Sequence, residues 1–241
     1  MFADSASTMS IECKEATKEE FRGKNVLLTG ASGGLGRAFA LQLTRSGVDT
    51  LILSARKKEA LAKVQQECAS IDSGVKIHIL TCDLADPNSV SQLATDALKV
   101  CPAIDVLINN GGVSSRSRFL DTTLEVDQQV MQINFLSGAA LAKAVSSSMV
   151  SSGKGGRIIW VSSVQGLVGI PNRSSYAASK FAVQGYCESI RSELAADGIT
   201  VHTASPGYIR TNLSNSAITG DGTAYGKTDP TTAAGAVRST G

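Results

Sequence analysis

From residue 25 onward, short aliphatic or β-branched runs alternate with longer stretches whose apolar positions recur every three or four residues. The short runs predict strands at 26–28, 50–54, 75–81, 105–109, 157–162 and 200–204. The longer stretches predict helices at 34–46, 57–70, 128–149 and 176–197. Asp86-Pro87 opens a further helix, because proline suits a first helical turn. In 57–70 the spacing of Leu61, Val64 and Cys68 traces the stripe that should be buried. The strand runs are aliphatic rather than alternating, which predicts a sheet covered on both faces. Strands separated by helices imply right-handed crossovers. The pattern therefore predicts a single-domain α/β fold on a doubly wound parallel sheet.

Two stretches stand outside this alternation. Residues 1–22 are polar, without an apolar run, and are expected to form a flexible N-terminal arm, neither a signal peptide nor a membrane anchor. Residues 23–211 carry the alternation, and 212–241, rich in Ser, Thr, Gly and Ala, are expected to be a substrate loop and tail. With 42% hydrophobic and 18% charged residues the chain can bury a core, and a net charge of +2 supplies no basic track for nucleic acid. Cys13, Cys68, Cys82, Cys101 and Cys187 show neither CxxC nor metal-type spacing, so reduced thiols in the cytoplasm are expected. His78 and His202 fall in separate strand runs, which argues against a zinc site or a serine–histidine triad; no metal is expected.

The first chemistry-bearing motif is Thr29-Gly30-Ala31-Ser32-Gly33-Gly34-Leu35-Gly36, between the first strand and the first helix. A tight turn there needs residues without Cβ, and the helix N-terminus then offers backbone N–H groups to a pyrophosphate. This context makes the sheet Rossmann-like and the turn a dinucleotide site. The second strand ends in Ala55-Arg56-Lys57, where an acid would hold the ribose hydroxyls of NAD. Two cations favour the 2′-phosphate of NADP(H) instead. Tyr176 and Lys180 lie four residues apart at the start of a helix, so phenol and ammonium can face one cavity.

Taken together, these motifs resemble the short-chain dehydrogenase/reductase family over residues 24–212. The glycine turn matches the family's TGxxxGxG. Asn109-Asn110-Gly111-Gly112 matches its NNAG, with glycine for the usual alanine. Asn134, Ser163, Tyr176 and Lys180 fall at its catalytic positions, Ser163 being chosen over Ser162 because it lies thirteen residues before Tyr176. Pro206, Gly207, Ile209 and Thr211 match the stretch closing over the nicotinamide, and Asp83 with Leu84 the adenine contact. The run from Ser205 to Ser214, with 217–222, is similar to the member-7 branch, especially the 7B type. That branch is commonly membrane-tied through an N-terminal apolar segment, absent here, and acts on lipid-like carbonyls.

The resemblance implies an oxidoreductase interconverting a carbonyl and an alcohol on a small, apolar or lipid-like substrate, as a homodimer or homotetramer. Tyr176 would donate the proton while hydride arrives from the nicotinamide, its pKa lowered from about 10 by Lys180 and by the oxidised nicotinamide ring. Ser163 would steady the carbonyl oxygen, Lys180 would hold the ribose, and Asn134 would bind a water in a proton path. Relatives continue with a further helix and a seventh strand, for which 230–241 are too short and too poor in apolar residues. The fold is therefore expected to lack both, with the sixth strand an open edge. Two alternatives stay open: a truncated, weakly active cofactor-binding protein, and an NAD-preferring dehydrogenase.

Overall fold

The sheet is built from β1 (Asn25–Thr29), β2 (Thr50–Ala55), β3 (Lys76–Thr81), β4 (Val106–Asn109), β5 (Gly156–Val161) and β6 (Ile199–Ala204). Across it the order is β3-β2-β1-β4-β5-β6, with every pairing parallel. The computed structural model describes residues 20–227 apart from 210, 212, 214 and 215. Most of the expected N-terminal arm, Cys13 and the end of the tail lie outside the described residues.

The chain steps outward from β1 to β3, then crosses back to lay β4 on the other side of β1. That reversal opens a crevice beyond the C-terminal ends of β1 and β4, the usual place for a ligand in such sheets.

Helices α1 (Gly34–Arg45) and α2 (Lys58–Ile71) cover one face. On the other lie α3 (Pro87–Val100), α5 (Ser137–Ser152) and α6 (Ser174–Glu193), with α4 (Leu124–Met131) preceding α5. Alternate side chains of one strand serve the two cores: Val26 and Leu28 pack with α1 and α2, whereas Leu27 packs with the opposite layer. Asp86 caps α3, its carboxylate accepting the N–H of Asn88 at 2.9 Å, with Pro87 in the first turn as the sequence predicts.

Three features depart from the sequence expectation. The outer strands are not buried on both faces: β6 buries Ile199 and Val201 but exposes Thr200 and His202. Only central strands are flanked on all sides, so only they read as continuous apolar runs. Among the described residues β6 pairs with β5 alone, and no further strand joins the sheet. The helix expected over 128–149 is two helices joined by a π-helical turn, Gln132–Leu136. Part of the expected loose tail is fixed, since Ile218 bridges to Ser115 and Ala224 and is buried with Val126 and Val130. Among the described residues no helix is long and apolar enough to cross a membrane.

Packing of α5 on β5 is tight where Gly138 meets Trp160. A Cβ on Gly138 would stand 2.6 Å from two ring carbons of Trp160 and 3.2 Å from the Asn109 amide carbon. Gly138→Ala should therefore destabilise the protein by about 1–3 kcal/mol, the usual range for overpacking. Urea unfolding followed by the fluorescence of Trp160, the sole tryptophan, checks this; an unchanged midpoint would contradict it.

Candidate active site

The crevice is floored by two segments, the glycine turn after β1 and the loop after β4. Thr29 knots them together, its hydroxyl oxygen accepting the N–H of Asn110 at 3.1 Å and of Gly111 at 3.0 Å. Asn110 returns the contact, its amide donating to the carbonyls of Thr29 at 3.0 Å and Gly30 at 3.2 Å. Gly30 has φ +65°, and a Cβ there would stand 2.7 Å from the Gly111 Cα, so conformation and space both require glycine. At Gly36 a Cβ would fall 2.0 Å from the Gly30 carbonyl oxygen. Gly111, where the family pattern has alanine, leaves room for Leu84, whose methyl would lie 2.5 Å from such a Cβ.

The cleft above this floor has a volume of about 530 Å³, within the range of small-molecule sites. Gly30, Ser32, Gly33, Gly34, Leu35 and Gly36 line one end. A Cβ at Gly33 would meet nothing within 4 Å, so the turn's open side faces free space. No side chain caps the start of α1 and no acid sits in its first turn, which leaves its N–H groups free for an anion. Arg56 and Lys57 line the wall beside the end of β2, both exposed, with no side-chain hydrogen bond or ion pair among the described residues. Asp83 and Leu84 stand at the mouth, where Asp83 accepts the N–H of Ala85 at 3.0 Å. Uncapped helix, free cations and cleft size together fit a phosphate-bearing dinucleotide.

At the other end stand Ser163, Tyr176, Lys180, Pro206, Gly207, Ile209 and Thr211. Ser163 and Tyr176 line this end side by side, and the Ser163 oxygen accepts the N–H of Gln165 at 3.1 Å. Lys180 donates to the carbonyl of Val161 at 2.9 Å, and its nitrogen lies 5.7 Å from the centre of the Tyr176 ring. Asn134, in the π-helical turn, is not in the cleft wall. Its carbonyl accepts the N–H of Val113 at 2.8 Å, while its amide donates to the Val113 carbonyl and the Ser179 hydroxyl, each at 2.9 Å. As placed, its side chain holds Val113 and Ser179.

Charge at this end differs from the sequence expectation. Burial pushes the Tyr176 phenol above its ordinary value, opposed by the Ser163 hydrogen bond and by the guanidinium groups of Arg116 and Arg173. Burial also pushes Lys180 down to about 8. Lys180 and an oxidised nicotinamide were expected to acidify the phenol; Arg116 and Arg173 are two further cations acting on it that sequence reasoning did not single out. Thr29, Ser115 and Ser179 were likewise missed as supporting residues. Only Thr29 carried a signal, as the first residue of the glycine motif. Among the described residues no cluster of His, Cys, Asp or Glu is placed to hold a metal ion.

Comparison with known proteins bears on this arrangement. A sequence profile described as short chain dehydrogenase matches residues 24–221. The chain is 44% identical over 232 residues to a dehydrogenase/reductase SDR family protein 7-like of Anopheles gambiae, covering 95% of this chain and 72% of that one. It is 42% identical over 222 residues to dehydrogenase/reductase SDR family member 7B of Mus musculus, covering 91% and 68%. Among solved structures, a short-chain type dehydrogenase/reductase from Mycobacterium marinum is 34% identical with a TM-score of 0.75, covering 80% of this chain and 76% of that one. Proteins of this kind bind NAD(P). A glycine turn knotted to a tyrosine–lysine cleft thus agrees with the sequence matches, and the chain belongs to the short-chain dehydrogenase/reductase family of oxidoreductases.

Proposed function

We propose that the protein uses NADP(H) to interconvert a carbonyl and a secondary alcohol on a small, apolar or lipid-like substrate. One observation carries the reading: Ser163, Tyr176 and Lys180 line one end of a cleft whose other end holds an uncapped helix and two free cations.

When bound, the cofactor supplies or accepts the hydride. Its pyrophosphate would lie on the N–H groups of the glycine turn, with Arg56 and Lys57 on the 2′-phosphate and Asp83 and Leu84 beside the adenine. In reduction the Tyr176 hydroxyl gives its proton to the carbonyl oxygen, and solvent returns one to the phenolate. Ser163 donates a hydrogen bond to the same oxygen and stabilises the negative charge that develops there. Lys180, held by the Val161 carbonyl, binds the nicotinamide ribose, with Pro206, Gly207, Ile209 and Thr211 closing that side. Asn134 acts as a positioning residue through Val113 and Ser179.

The buried place of Tyr176 in the cleft wall, beside Ser163 and Lys180, supports its acting as the proton donor. Exposed Leu167, Val168 and Leu213 support an apolar substrate. Leu136 and Phe181, exposed on the layer of α4, α5 and α6, support a homodimer or homotetramer. Free thiols at Cys68, Cys82, Cys101 and Cys187 support a reducing compartment such as the cytoplasm.

Tyr176→Phe should lower turnover of a ketone and aldehyde panel with NADPH by about 10²–10⁴-fold, the usual worth of acid–base help, and leave NADPH binding intact. A variant as fast as the wild type would overturn the proton-donor role. Arg56→Ala should weaken NADPH about 10- to 100-fold in calorimetric titration, the range for a lost charge-assisted hydrogen bond, without affecting NADH. Equal losses for the two cofactors would remove the basis for NADP(H).

A further inference from the structure

Tyr176 is the third residue of α6, so its N–H has no helical acceptor. Arg173, at the cap position, supplies no side-chain acceptor. Instead the N–H donates to the hydroxyl of Ser115 at 3.1 Å, across a separation of 61 residues. The Tyr176 carbonyl is held as well, accepting the hydroxyl of Ser179 at 2.7 Å. Ser179 in turn accepts the amide of Asn134, which grips both backbone groups of Val113. Both routes end on one segment, since Val113 and Ser115 follow directly on Asn110, Gly111 and Gly112 of the cleft floor. The parts are deeply buried, with Ser115 at 3%, Ser179 at 0% and Asn134 at 4% exposure.

We propose that Ser115 and Ser179 are positioning residues that clamp the backbone of Tyr176, from its two sides, to the loop flooring the cofactor cleft. An ordinary cap would serve its own helix. These two hydroxyls instead fix the distance between the proton donor and the floor on which the cofactor would lie. Both ends of one peptide residue are tethered, so the phenol cannot shift along the helix axis without breaking a buried hydrogen bond. Donor and acceptor must meet within a few tenths of an ångström for proton and hydride to move together. The clamp rests on Tyr176 being the proton donor.

The test compares kcat with the carbonyl selected from the ketone and aldehyde panel, NADPH affinity and thermal unfolding. Ser115→Val and Ser179→Ala should each lower kcat about 10- to 100-fold, as misplacement of a reacting group by about 1 Å does, with NADPH affinity within about twofold. Ser115→Thr has the shape of the valine variant but retains the hydroxyl, and should keep kcat within about threefold of the wild type. In a Tyr176→Phe background neither Ser115→Val nor Ser179→Ala should lower the residual rate further, because the group they place is gone. Unchanged kcat in the single variants overturns the clamp, as does a threonine variant no better than valine. A loss that persists in the Tyr176→Phe background, or lost NADPH binding, assigns the serines to the fold and overturns it too. Wild-type turnover by Tyr176→Phe alone would instead fail the proton-donor reading.

Discussion

The hydroxyl of Thr29 is the contact on which the site depends. It sits where the strand order reverses, so the two chain segments following β1 and β4 separate there and need a tie. One oxygen accepts two N–H groups from the far segment and donates to the Ile108 carbonyl at 3.4 Å. Asn110 closes the knot by donating to two carbonyls of the near segment. These groups lie at or beyond the last pair of the β1–β4 ladder, Leu28 with Ile108, where strand pairing runs out. The knot satisfies them and fixes the glycine turn against the loop that leads to Val113 and Ser115. The glycine-turn end and the Tyr176 end of the cleft thus become parts of one floor.

From that floor, burial and charge set the working chemistry. Taking a phenol and an ammonium out of water disfavours the charged form of each, which raises Tyr176 and lowers Lys180 to about 8. Both groups therefore lie nearer their neutral forms than they would in solution. Sequence logic placed a cation beside the tyrosine and inferred phenolate. The structure shows desolvation as the larger effect on Tyr176, countered by a hydroxyl and two guanidinium groups.

Much of this was legible in the chain. The strand–helix alternation reflects a real asymmetry between β1, β2 and β4, flanked on both faces, and the amphipathic helices over them. The glycine turn was legible because Gly30 and Gly36 are forced by contacts below 3 Å, which leaves no other residue possible without a shift. Tyr176 and Lys180 were legible because a four-residue offset on a helix fixes their common face. Ser115 was not, since a serine on a loop carries no periodicity, and its partner lies 61 residues away. Edge strands such as β6 were misread because a half-covered strand must alternate, and the short run 200–204 is too brief to show it clearly.

The π-helical turn shows why period alone cannot locate a side chain. A helix of 3.6 residues per turn from 128 to 149 keeps one stripe buried throughout, and the apolar pattern is satisfied on that basis. One wider turn at Gln132–Leu136 inserts an extra residue into the register and rotates everything after it. The rotation lets Asn134 turn inward with Ile133, while Leu136 stays 48% exposed. An asparagine buried in a helix is expensive unless its carboxamide is fully engaged. Here the Val113 backbone and the Ser179 hydroxyl engage it. The irregular turn and the buried amide therefore explain each other: the first brings the second between α6 and the loop that floors the cleft, and each supplies it with partners.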